Sequence, residues 1–113
     1  MGLFAAGEIV TLPFPHTDLS PGKLRPVLLL ATAGREDWVV CQITSNPFAD
    51  SDTITLSQRE FASGGLHHPS YLRPSKLFTA HESLITRTLG FLTPEALEEA
   101  RDKVVHIIKG PVP

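Results

Sequence analysis

Cysteine is almost absent. Cys41 is the one thiol in 113 residues, so no internal disulfide can form and no cysteine-rich metal site can be built. A reducing compartment suits that composition, and Cys41, inside an apolar run, reads as a small core residue. An excess of positive charge is also lacking. Ten Lys/Arg stand against twelve Asp/Glu, with a formal net charge of -2 and a pI near 6.2. That excludes a protein that coats long nucleic acid through many phosphate contacts, but leaves room for a short, local site. Seven basic and eight acidic residues precede Thr93, and three and four follow, so neither part is a charged arm. No apolar stretch approaches the roughly 20 residues of a membrane helix. Met1–Ala6 is too short for a signal-peptide core and lacks a basic start. The expectation is a soluble, cytoplasmic protein with no membrane association, no repeats and no low-complexity segment.

What is present is apolar patterning at 42% hydrophobic content, enough for one domain over residues 1–113 and too little for two cores. Glu8–Phe14 reads as a first strand, followed by a long polar loop, His16–Lys23. Arg25–Ala31 then has no polar break after Arg25 and predicts a strand buried on both faces, turning at Gly34–Asp37 into a strand over Trp38–Ile43. Asp52–Leu56 alternates as an edge strand would, and Gly64-Gly65 reads as a flexible break. Ser70–Arg73 and Lys76–Ala80 read as two short strands separated by Pro74.

Thr93-Pro94-Glu95 is a helix start, with an N-cap hydroxyl, a proline at the first helical position and an acid in the first turn. Leu97, Ala100, Val104, Ile107 and Ile108 share one face, and Lys109-Gly110-Pro111 ends the helix. Residues 1–92 therefore predict a small, strongly bent sheet or barrel, and residues 93–110 a helix packed on one side.

Two polar residues sit at the ends of these apolar runs: Arg25 before Pro26-Val27, and Thr44 after Ile43. A fixed guanidinium fork and a nearby hydroxyl suit a phosphodiester. His16, in the first loop, carries the side-chain type that titrates nearest neutrality and is the candidate base. Lys23, Lys76 and Arg73 are candidates for phosphate contact, Asn46 and Asp18 for reading base edges, and His67, His68 and Tyr71 for stacking on unpaired bases. Adjacent residues on extended backbone point apart, so His67-His68 is not read as a metal site, and no cofactor is expected.

The order and spacing of Gly7-Glu8-Ile9-Val10, Pro13-Phe14-Pro15 with Thr17-Asp18, Arg25-Pro26-Val27-Leu28, Gln42-Ile43-Thr44-Ser45, and Ser70–Arg73 running into Lys76–Thr79 resemble the MazF/PemK toxin endoribonucleases. The resemblance spans about Gly7 to Gly90 and is nearest to the PemK-like branch. It implies an SH3-like small barrel with a C-terminal helix, as in MazF, PemK and CcdB. It also implies a homodimer, metal-independent cleavage of single-stranded RNA at short sequences, and a small acidic antitoxin as partner.

Carried over by position, Arg25 and Thr44 match the family's catalytic arginine and threonine, and Thr17 falls within the RNA-binding first loop. Arg73 matches a second catalytic arginine, but the carboxylate expected two positions later is Ser75. That departure keeps open a second class: a non-catalytic barrel that binds a protein or nucleic acid, like gyrase-poisoning relatives.

Overall fold

The computed structural model describes residues 3–14 and 23–111. Seven strands form one sheet: β1 (Glu8–Phe14), β2 (Lys23–Gly34), β3 (Asp37–Thr44), β4 (Ile54–Leu56), β5 (Phe61–Gly64), β6 (Ser70–His81) and β7 (Arg87–Leu92), followed by helix α1 (Pro94–Lys109). Their order across the sheet is β4-β6-β3-β2-β1-β7-β5, and every pairing is antiparallel. The two edge strands, β4 and β5, are joined only by Ser57–Glu60, so the sheet curls into the nearly closed, SH3-like barrel that the sequence implies.

The unbroken apolar run of β2 explains its central place. Val27, Leu28 and Leu29 are completely buried, because alternate residues feed two different cores. Leu28 and Leu30 join Ile9, Cys41, Ile43 and Leu72 under the helix, while Val27 and Leu29 join Val10, Leu12, Trp38 and Val40 on the other side. Helix α1 starts where Thr93 Oγ1 accepts the Ala96 N–H at 3.1 Å. It stops at Gly110, whose φ of 73° suits a residue without a Cβ. Ala100 and Val104 face the barrel, and Arg101 Nε donates to the Leu30 carbonyl at 3.1 Å, clasping helix to sheet. Ile108, expected on the packed face, is instead 70% exposed. Among the described residues, no helix is long and apolar enough to cross a membrane.

Two further expectations need correction. Ser70–His81 is one strand, not two. Pro74 instead marks a bulge, where the register against β3 jumps from Cys41↔Leu77 to Gln42↔Arg73. Gly64-Gly65 is not a flexible break. Gly64 ends β5 and pairs with Gly90 of β7, so closely that a Cβ on Gly90 would meet the Ser63 carbonyl oxygen at 2.5 Å. Strands β5 and β7 themselves escape the alternation test, because each is short and carries a glycine where a side chain would mark the face.

Candidate active site

The ladder between β2 and β3 runs to Val27↔Gln42 and stops, although β2 continues back to Lys23 and β3 on to Thr44. Pro26, which has no N–H to donate, stands where the strands part. Continuing the same register by two residues sets Arg25 across from Thr44. A cleft of about 320 Å³ opens there, and Arg25, Pro26, Ile43 and Thr44 line it. The two polar residues read from the strand ends are thus brought to one cavity.

Arg25 is half-buried, and among the described residues no side chain pairs with its guanidinium. Glu8, a possible structural partner, is occupied elsewhere: its carboxylate accepts from Ala5 N at 3.0 Å and from Thr88 Oγ1 at 2.5 Å. Among the described residues, then, nothing competes with an anion for the fork of Arg25. Thr44 is half-buried, and its Oγ1 accepts the Asn46 N–H at 3.1 Å, which leaves the hydroxyl proton to donate. The exposed Asn46 in turn spends its Oδ1 on Phe48 N at 2.9 Å, tightening the turn.

Arg73 does not line this cleft. Its Nε and Nη2 donate to Asp50 at 2.7 and 3.0 Å, a bidentate pair with both side chains largely buried. The hydrogen bond from Arg73 lowers the Asp50 carboxyl below its usual range, and the same bond raises Arg73. Asp50 is the functional candidate that sequence reading missed. No short motif links positions 23 residues apart, and only the fold puts a carboxylate beside Arg73 when Ser75 is exposed and cannot ionise. The neighbouring Cys41 is core, as expected. Burial pushes its thiol up to about 12, and Sγ donates to the Arg73 carbonyl at 3.0 Å where the bulge breaks the ladder.

Other residues of the same cleft come from the segment that enters β6: His67, His68 and Ser70 line it, together with Leu66 and Leu89. Lys23, at the start of β2, and Lys76, on the bulge, are both exposed; Lys76 also lies near enough to Asp50 to help lower its carboxyl. His16, Thr17 and Asp18 lie outside the described residues. A larger hollow, about 760 Å³, lies between β4 and α1. Glu60, Glu99 and Asp102 line it against Lys103 and His106, so its balance of charge opposes a phosphate.

No curated protein matches the sequence. Among solved structures, the fold is similar to a MazE–MazF complex from Deinococcus radiodurans (TM-score 0.74, 21% identity, covering 98% of this chain and 100% of that one). It is similar to an endoribonuclease in complex with its cognate antitoxin from a mycobacterial species (TM-score 0.69, 17% identity, all of both chains). A third is the Mycobacterium tuberculosis toxin MazF-mt6 (TM-score 0.69, 18% identity, 93% of this chain and 99% of that one). Such low identities speak to the shared barrel and helix. The family assignment rests on sequence: residues 5–108 match the PemK-like, MazF-like toxins of type II toxin-antitoxin systems. With that match spanning nearly the whole barrel and helix, the chain belongs to the PemK-like, MazF-like toxin family.

Proposed function

We propose that this toxin is a sequence-specific, metal-independent endoribonuclease that cuts single-stranded RNA in the cytoplasm. The observation that carries the reading is that Arg25 and Thr44 line one cleft, with no carboxylate among the described residues holding the arginine. The 2'-OH of the RNA attacks the adjacent phosphorus, and the P–O5' bond breaks to leave a 2',3'-cyclic phosphate and a 5'-OH. Arg25 stabilises the extra negative charge on the phosphorane through its ordered fork; its high pKa suits it to that role better than to proton transfer. Thr44 donates to a non-bridging oxygen and keeps the attack in line. Arg73 first holds the segment that follows Thr44, and its remaining N–H groups meet a flanking phosphate. Lys23, Lys76 and Asn46, with Thr17 and Asp18, complete the RNA contacts, and His16 stays a candidate for proton transfer.

The partner that silences the site is a small acidic antitoxin, disordered until it binds, whose carboxylates compete for the same cations. A second copy of the chain covers exposed apolar surface, including Val105 and Ile108 of α1, which are 48% and 70% exposed. Incubating the purified protein with diverse single-stranded RNAs in EDTA tests the reading. Discrete products from wild type that vanish with Arg25→Ala and Thr44→Ala support it. Uncut RNA throughout favours the non-catalytic binding module.

A further inference from the structure

The mechanism needs a group to accept the proton of the attacking 2'-OH, and neither Arg25 nor Thr44 is suited to do so near neutral pH. The cleft that holds the Arg25–Thr44 strand ends is also lined by a segment that the strand pattern alone gave no catalytic part. His67 and His68 are both exposed and both line the cavity. His68 is the better fixed of the two. Pro69 restricts its backbone to extended conformations, and its carbonyl accepts from Ser70 Oγ at 2.9 Å. Ser70 is itself 93% buried in the cleft wall, at 7% exposure, at the start of β6.

We propose that His68 is the general base of the RNA cleavage, an assignment that rests on the endoribonuclease reading above. Its neutral imidazole takes the 2'-OH proton as the 2'-oxygen bonds to phosphorus. The electron pair of the breaking P–O5' bond leaves on the 5'-oxygen, which takes a proton from water, and the imidazolium returns its proton to solvent through the exposed side of the loop. The charged or titratable groups facing His68 are few. Among the described residues lining the cleft they are Arg25 from β2 and the adjacent His67; β3 contributes Ile43 and Thr44, the turn after it Ser45, and β7 contributes Leu89. The hollow behind the loop adds only uncharged neighbours from Thr55 to Gln58. No carboxylate among them competes for the proton.

Single-turnover cleavage in EDTA across pH 5 to 9, for wild type, His68→Gln and His67→Gln, tests the assignment. Removing the base costs about 10²-fold or more in rate. His68→Gln also abolishes the fall in rate on the acid side, while affinity for a non-cleavable 2'-deoxy strand stays within a few-fold. His67→Gln, which removes a stacking candidate, changes the affinity for RNA at most and keeps the fall in rate on the acid side. His68→Ala regains rate when free imidazole is added, a rescue that a purely structural role would not show. If His68→Gln cuts at the wild-type rate with the wild-type pH profile while Arg25→Ala is inactive, the histidine assignment falls and the nuclease reading stands. If wild type cuts nothing, both fall together.

Discussion

Arg73 and Asp50 grip each other through two hydrogen bonds, at 2.7 and 3.0 Å, and so tie β6 to the segment that leaves β3 at Thr44. The pair fixes the far end of a turn whose near end is the Thr44 Oγ1 to Asn46 N bond. Asp50→Asn removes the charge and half of the fork, and is expected to cost about 1.5–3 kcal/mol, the scale of a hydrogen bond to a charged group. The pair also sets a pH dependence. The Asp50 carboxyl lies below its usual range when folded, so its contribution is present above the unfolded carboxylate value and is lost as pH falls through the folded one. Thermal melts of wild type and Asp50→Asn should therefore differ at neutral pH and converge in acid. A gap that persists unchanged at low pH contradicts the role given to the pair.

Arg25→Lys keeps the charge and discards the bidentate geometry. A loss of about 10²-fold in cleavage rate is expected for Arg25→Ala, with Lys recovering only part of it. Thr44→Ser preserves the donor and should retain more activity than Thr44→Val, which keeps the shape without the hydroxyl. Single-turnover rates on one RNA rank all four variants, and full activity in Thr44→Val would remove the threonine from the chemistry.

Gly90 and Gly64 bring β7 and β5 together at backbone distance. A methyl on Gly90 would meet the Ser63 carbonyl oxygen at 2.5 Å and the Gly65 nitrogen at 3.0 Å. Backbone must move to admit it, so Gly90→Ala is expected to destabilise by about 1–3 kcal/mol, as overpacking does. Chemical denaturation measures this, and an unchanged midpoint would show that the strands are less closely apposed.

The hairpin turn between β2 and β3 stores strain of a different kind. Arg35 and Glu36 have φ of 54° and 65°, the two left-handed positions of a type I' turn, where Asn-Gly is favoured. Replacing the dipeptide by Asn-Gly should stabilise by about 1 kcal/mol. The site lies at the opposite end of both strands, so RNA cleavage should not change, and a raised melting temperature with unaltered rate is the expected result.

The parts of the fold visible in the sequence are those dictated by local chemistry. Thr93-Pro94 starts the helix where a cap and a proline must, and Val27–Leu30 lacks polar breaks because both faces of β2 are covered. What escaped depends on partners distant in the chain. Gly90 looks like a strand breaker until Gly64 lies against it. Pro74 looks like the end of a strand until β3 accommodates it as a bulge. The same division holds at the site. Arg25 and Thr44 are legible because each ends an apolar run, and the ladder that joins those runs brings them together. Asp50 was invisible because nothing near it in sequence announces an ion pair with Arg73. The histidines were legible only as residue types, since the place of Leu66–Ser70 beside the cleft follows from the curl of the sheet.

The chemistry of the cut ends tests the central claim most directly. RNA cleaved by the wild-type protein in EDTA, treated with polynucleotide kinase without prior phosphatase, should take up label at every new 5' end and carry a 2',3'-cyclic phosphate on the other. New ends that carry 5'-phosphate, or cleavage that appears only when a divalent metal is supplied, would contradict a cleft in which Arg25 and Thr44 direct attack by the RNA's own 2'-OH.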